Sequence, residues 1–244
     1  MFTSERHTAI LEILKENGSA IVKSLAKTLY VSEATVRRDL KEMQRMGLIE
    51  RSHGGAILPE TADEVSIFVR MNKNAKEKER AATAALKILP EFKTLFVDSS
   101  STALALASRM DLTFKTVVTN NIQTALDLAK KPNINLILLG GSVQYNTNSA
   151  TGSFTVRQLG EFAFDLMITS SAGISEKEAL DRSIEQREIK RAAMLRSKKK
   201  ILLADHTKFG FPSPYKIADL ADYDFVVTDA PPLDGHFENV NLIY

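Results

Sequence analysis

The 244-residue sequence contains no cysteine. Disulfides, thiolate nucleophiles and cysteine-ligated metals are therefore excluded, and the composition fits a reducing cytosol. Long apolar runs are also missing. The stretch Ile134 to Leu139 is far too short to cross a bilayer, so no membrane partner is expected. Glu5, Arg6 and His7 follow Met1 closely, which argues against a secretory leader and makes a cytoplasmic protein the expectation. The four histidines are scattered and no His-Glu-x-x-His pair occurs, so neither a metal site nor a cofactor is expected. Charge of one sign is scarce too, the net value being only +2. Its placement is more telling than its size. Nine of the 32 Lys/Arg but seven of the 30 Asp/Glu fall in residues 1–56, so the whole positive excess sits in the first quarter.

That quarter has the periodicity of three short helices. Ser4 is a candidate N-cap, Ile10, Leu11, Ile13 and Leu14 form an apolar face, and Asn17-Gly18 is a stop. A second helix fits Val22 to Leu29. After Tyr30-Val31, Ser32 is placed to cap a third, with Glu33 near its positive end and Val36, Leu40, Met43 and Met46 as its buried stripe. Thr35, Arg37, Arg38 and Lys41 remain around the early turns, where a helix entering the major groove by its N-terminal end meets bases and phosphates. Arg37 and Arg38 point about 100° apart, so one suits a base and the other a phosphate. Gly47 ends the helix. Leu48 to Arg51 and Ala56 to Leu58 then read as strands around the His53-Gly54-Gly55 turn, a two-stranded wing that places Arg51 and His53 against backbone or minor groove. The plainer alternative is a three-helix protein-binding module with solvated arginines.

The segment Val31-Ser32-Glu33-Ala34-Thr35-Val36-Arg37-Arg38-Asp39-Leu40, followed by Gly47-Leu48-Ile49-Glu50-Arg51-Ser52-His53-Gly54-Gly55-Ala56, resembles the recognition helix and wing of the DeoR family of bacterial transcription regulators. The resemblance implies that Ser32, Thr35, Arg37 and Arg38 meet operator DNA. Asp39 is expected to orient a basic neighbour, since a carboxylate facing phosphate is repelled.

Residues 59–74 read as a polar linker with a short apolar cluster at Val65, Ile67, Phe68 and Val69. The domain organisation expected is thus a winged helix-turn-helix over 1–58, a linker over 59–74 and a larger domain over 75–244. In the last, a helix from Ala75 to Leu89 precedes alternating strands and helices. Strands are expected at Thr94–Val97, Lys115–Val118, Ile134–Leu139, Leu166–Thr169, Lys200–Ala204 and Phe225–Thr228. That alternation makes the fold class α/β with a mostly parallel sheet. Ligands of such sheets sit beyond the carboxyl ends of the strands. There the sequence places Asp98-Ser99-Ser100-Ser101-Thr102, Asn120, Gly140-Gly141 and Lys208. Ser101 or Thr102 is expected to cap the following helix. Hydroxyls and backbone N–H groups suit an anion, Lys208 adds positive charge, and Asp98 suits sugar hydroxyls. Singly these are ordinary caps, turns and salt bridges. Four polar loops after four strands make a shared site.

Asp98 through Thr102, Val118-Thr119-Asn120, Leu138-Leu139-Gly140-Gly141, Phe164-Asp165 with Gly173-Ile174, Lys190-Arg191-Ala192-Ala193-Met194 and Ala204-Asp205-His206-Thr207-Lys208-Phe209-Gly210 resemble the effector domain of the same family. The resemblance implies a fold similar to ribose-5-phosphate isomerase and glucosamine-6-phosphate deaminase, and a phosphorylated sugar or related metabolite as effector. It places phosphate at Ser99 to Thr102 and Lys208, and the sugar end at Asp98 and Asn120. Two departures stand out. Ser100 and Ser101 replace a usual Gly-Thr pair, and Ala172 stands where an aspartate often precedes Gly-Ile. The alternative, a sugar-phosphate isomerase or deaminase carrying a DNA-binding module, needs a general base; Asp98, Asp205 and Glu185 form no convincing acid–base constellation. No catalytic residue is assigned. Paired half-sites imply a homo-oligomer, a dimer or tetramer. The tail Val240 to Tyr244 is expected to be a last sheet strand ahead of a subunit contact.

Overall fold

Ile10, Leu11 and Leu14 recur at helical spacing and are buried, which coils the first segment into α1 (Thr3–Asn17). Gly18, at φ 72°, donates its N–H to the Leu14 carbonyl (2.9 Å) and ends the helix, as only glycine does without strain. The computed structural model describes residues 3–46, 48–52, 54–57, 66–232, 237 and 240–244. Because α1 already runs from Thr3, Ser4 lies inside the helix and not at its cap. Next come β1 (Ser19–Ile21), α2 (Val22–Thr28), α3 (Glu33–Arg45), β2 (Glu50–Ser52) and β3 (Gly55–Ile57). Ile10, Leu14, Leu25, Val36, Leu40, Met43, Ile49 and Ala56 close their common core.

The wing differs from the expected two strands: its order is β1-β3-β2, with β1 antiparallel to β3. Three residues between Gly18 and Val22 are too few to display a period of two. The constraint is visible instead at Gly55. A Cβ there would stand 2.1 Å from the Ala20 carbonyl oxygen, so glycine is what lets β1 approach.

Residues 58–65, His53 and Gly47 lie outside the described residues. The later part of the expected linker is a helix, α4 (Ile67–Asn72), in which Ile67 is buried and Val69 packs on the N-terminal core. Its apolar cluster was too short to reveal a period. The chain divides into two compact units between Arg70 and Met71.

The second unit opens with α5 (Ala75–Leu86), β4 (Thr94–Val97), α6 (Ser101–Ala107), β5 (Thr116–Thr119), α7 (Ile122–Leu128) and β6 (Asn135–Leu138). A hairpin of β7 (Ser142–Gln144) and β8 (Ser149–Thr151) leads to α8 (Ser153–Gly160) and β9 (Phe164–Ser170). Then follow β10 (Gly173–Ile174), β11 (Glu178–Asp181), α9 (Ile184–Leu195), β12 (Ser197–Leu203), β13 (Tyr215–Asp219), β14 (Phe225–Val227) and β15 (Leu242–Ile243). Seven strands form one sheet in the order β15-β14-β12-β9-β4-β5-β6, every pairing parallel. Leu95, Phe96 and Val97 are all fully buried, the mark of a central strand covered on both faces. Their alternation divides the core in two. Phe96 points with Met167, Leu202 and Val226 into the side holding α8 and α9. Leu95 and Val97 point with Leu166, Ile168 and Ile201 into the side holding α5 and α6, whose Ala81, Ala82, Ala85, Ala103 and Ala107 permit close approach. The tail does supply a strand, β15, at the sheet edge. Short strands hid the antiparallel sheet β10-β11-β13 and the β7–β8 hairpin from sequence reading.

The chain runs outward from β4 through β5 to β6, then returns to β9 on the other side of β4. Strand order therefore reverses between β4 and β9, and the crevice of an open α/β sheet lies beyond that point.

Candidate functional site

The exposed face of α3 is set by its cap. Ser32 Oγ accepts from Thr35 N (3.1 Å) and shares a hydrogen bond with Thr35 Oγ1 (2.9 Å). Both side chains are thus tied to the first turn, with Ser32 exposed and Thr35 half-buried. With Val36, Leu40 and Met43 inward, Arg37, Arg38 and Lys41 are exposed. Arg37 Nη2 pairs with Glu33 at 2.7 Å. Such an exposed i,i+4 pair is worth only tenths of a kcal/mol and yields readily to a phosphate. Arg51 is exposed on β2.

Asp39 does orient a basic group, but the group comes from α1. Arg6 Nε and Nη2 donate to its two oxygens at 2.7 and 2.9 Å, a bidentate pair that is almost wholly buried. His7 Nε2 lies 3.7 Å away. This clamp fastens the recognition helix to the first helix, and its partners are 33 positions apart.

In the second unit the reversal point is occupied by Asp98, buried to 1% exposure. Its Oδ1 accepts from Ser100 N (3.0 Å) and Ser100 Oγ (2.5 Å), and its Oδ2 from Thr169 Oγ1 (2.6 Å). Lys190 Nζ stands 3.5 Å from Oδ2 and bonds to Asp181. Asp98 thus binds its own loop and the end of β9. The cap of α6 is Ser100, accepting from Ala103 N (3.1 Å), not Ser101 or Thr102. Ser100 sits at φ −87°, ψ 142°, ordinary for any residue, so the glycine missing from the sequence pattern is not needed for this turn. Ser99 Oγ donates to Gln186 (2.7 Å), whose amide donates to Ser149 (2.7 Å), linking the β4 loop through α9 to β8. Ser101 and Thr102 are buried beside them.

Asn120 donates to the Ala150 carbonyl (3.0 Å), leaving its Oδ1 buried without a partner among the described residues. Gly141 has a packing reason, since a Cβ on it, at φ 152°, would stand 2.0 Å from Thr155 Oγ1, whereas a Cβ on Gly140 would meet nothing nearer than 3.5 Å. Lys208 is half-buried in the 3-10 turn His206–Lys208 beyond β12.

Sequence reasoning missed Lys190, Gln186 and Asp181. The signal was present in α9, where Gln186 and Lys190 share the stripe of Ile189, Ala193 and Met194. A lysine and a glutamine on a buried stripe are costly unless bonded, and here they are. Tyr223 is kept a neutral phenol, pushed up first by burial and then by the charge of Asp98. Besides Asn120 Oδ1, Ser171 Oγ, Asp205 Oδ2 and Thr228 Oγ1 are buried and unpartnered among the described residues. These four stand beyond β5, β9, β12 and β14. Each unsatisfied group costs about 1–3 kcal/mol, so a row of them on one sheet edge is a place for a polar ligand.

A family model described as the DeoR-like helix-turn-helix domain matches residues 6–62, and one described as the DeoR C terminal sensor domain matches residues 73–230. A relative named HTH-type transcriptional regulator GolR, from Listeria innocua, is 35% identical, covering 94% of this chain and 91% of its own length. The glycerol-3-phosphate regulon repressor of Escherichia coli is 32% identical over 95% of this chain and 93% of its own. The transcriptional repressor GlcR of Bacillus subtilis is 31% identical over 95% and 90%. A solved ribose 5-phosphate isomerase A from Methanocaldococcus jannaschii superposes at a TM-score of 0.41 and 12% identity, covering 56% of this chain and 55% of that one, too distant to carry an argument.

Proposed function

This chain belongs to the DeoR family of transcription regulators, and from that premise we propose that it is a DNA-binding repressor of carbohydrate genes, controlled by a phosphorylated sugar or polyol. One observation carries the reading. A capped helix with exposed Arg37 and Arg38 and a strand-end crevice with orphaned polar atoms occur in the same chain, in separate compact units. Thr35, Arg37 and Arg38, with Ser32 holding the helix start, meet operator DNA, while Arg51 and His53 contact it from the wing. Ser99 to Thr102 and Lys208 receive the phosphate. Asn120 meets the sugar, and Asp98, Gly140 and Gly141 shape the walls. The name of one relative, a glycerol-3-phosphate regulon repressor, supports that effector class.

Catalysis is not part of the proposal. The carboxylate at the reversal point, Asp98, is committed to Ser100, Thr169 and Lys190, which takes it away from the role of a base over a sugar carbon. The protein acts in the cytoplasm as a dimer or tetramer on paired half-sites. No helix among the described residues is long and apolar enough to cross a membrane.

The test is a duplex selected in vitro by the full chain, titrated with and without a panel of phosphorylated sugars. Arg37→Ala with Arg38→Ala should abolish binding with the melting temperature unchanged, and one phosphorylated sugar should shift wild-type affinity by 5–150-fold. Retained binding in the double variant would reject the assignment of α3; Asp98-dependent turnover of any sugar would reject the pure-sensor reading.

A further inference from the structure

Asp205 follows β12 by two residues. Leu203 of β12 is in register with Ser170 of β9, so Asp205 stands on the same sheet edge as Ser171 and Asp98. It is buried to 1% exposure, and its two oxygens have different fates. Oδ1 accepts from Thr207 N (3.2 Å), from Thr207 Oγ1 and from Asn74 Nδ2 (3.1 Å). Oδ2 has no partner among the described residues.

Asn74 is unusual in its own right. It precedes α5 at φ 53°, ψ 40°, and its side chain makes no cap to that helix. An asparagine at this position ordinarily bonds the N–H groups of the first turn. Here its amide instead reaches Asp205 and Thr207 Oγ1 (3.1 Å). Asparagine is one of the few non-glycine residues that adopt this left-handed backbone readily, so the corner between α4 and α5 is held by these two side-chain bonds. Lys78, buried in α5, donates to the Lys73 carbonyl at the same corner. Asn74 is two residues from the end of α4, the helix that crosses the boundary between the units.

We propose that Asp205 contacts the ligand of the crevice through Oδ2, and that Asn74 is the positioning residue through which its occupancy reaches α4. The inference rests on the sensor reading above. A buried carboxylate oxygen without a partner attracts a donor, so the end of the ligand bound there carries a hydroxyl or an ammonium. A phosphate is repelled from this carboxylate and lies farther along the edge. When Oδ2 takes a donor, the carboxylate turns and gives up charge density, and Oδ1 holds Asn74 less firmly. The corner then has a held state and a released state, and the ligand prefers the second. That difference in affinity is what regulation requires.

Asn74→Gly isolates the relay, because glycine keeps the left-handed backbone without strain while removing both hydrogen bonds. Hydrogen exchange over residues 66–78 of the full chain is read with and without glycerol 3-phosphate, glucose 6-phosphate or glucosamine 6-phosphate. In the free protein Asn74→Gly should exchange about tenfold faster than wild type. The probe that raises the wild-type melting temperature should accelerate exchange there, and should bind Asn74→Gly with no further acceleration. Asp205→Asn, which retains an acceptor for Asn74, should weaken that probe about tenfold. Equal free-state exchange, or equal acceleration in Asn74→Gly, overturns the relay. Unchanged affinity in Asp205→Asn overturns the contact. If no probe binds wild type, the phosphorylated-ligand reading fails, and the corner's hold is decided by the free-state comparison alone.

Discussion

At the level of single residues, the buried pair Arg6–Asp39 is the most consequential contact of the first unit. Removing Asp39 leaves a guanidinium buried without its counter-charge. Asp39→Ala is expected to cost about 3–5 kcal/mol, whereas Arg6→Met combined with Asp39→Leu costs far less because neither charge then remains. Denaturant unfolding followed by circular dichroism measures both; a double variant no better than the single would contradict the clamp. A second carboxylate contributes stability that depends on pH. Asp165 accepts from Lys198 Nζ (2.9 Å), Lys93 N (3.0 Å) and Thr94 N (3.1 Å), and these bonds hold its carboxyl well below the usual 3.8. A depressed folded-state value means the contribution is fully present above pH 3.8 and is lost as pH falls below it toward the folded value. Asp165→Asn should therefore cost about 1–2 kcal/mol at neutral pH and progressively less as pH falls below 3.8, as thermal melts across pH would record. Residues of this kind differ in how legible they were. Ser32 and the arginine face of α3 were readable because caps and helical period are local. Arg6 was not, its partner being 33 positions away. Lys190 was readable in principle, as a charge on an apolar stripe.

Among elements, long periodic helices and fully apolar strands were legible from sequence, with ends displaced by a few residues. The seven-stranded order was not, because pairing β4 with β9 brings together segments separated by the whole of α6 to α8. Short strands were lost for a different reason: β1, β7 and β10 hold two or three residues each, too few for alternation to register. Gly55 makes β1 testable. In Gly55→Ala the added carbon would overlap the Ala20 carbonyl, so β1 must separate from β3. The expected loss is about 1–3 kcal/mol of stability in the first unit, with weaker duplex binding if the wing contributes to it. Exchange of the Ser19–Ile21 amides is the direct measurement; unchanged protection there would show that β1 is accommodated some other way.

For the whole molecule, the candidate ligand site was partly legible because strand ends are predictable places for polar loops. Asp98, Ser99, Ser100 and Asn120 do stand on one edge, yet the groups bonded to them come from α9 and β8, which no strand-end rule points to. Regulation asks more than two sites: it needs an element with two arrangements that both sites bias. The α4–α5 corner, bonded on one side to Asp205 and continuous on the other with the helix that crosses the unit boundary, meets that requirement.

The return of the chain from β6 to β9 has a consequence in time. The contacts of the first unit span fewer than forty positions in the pairings described, and shorter separations form faster; the sheet of the second cannot place β9 beside β4 until some seventy intervening residues have collapsed, as the pairing of Val97 with Ile168 requires. Emerging from the ribosome amino end first, such a chain completes its helix-turn-helix unit before its sensor unit. Each newly made copy would pass through an interval in which it answers to nothing.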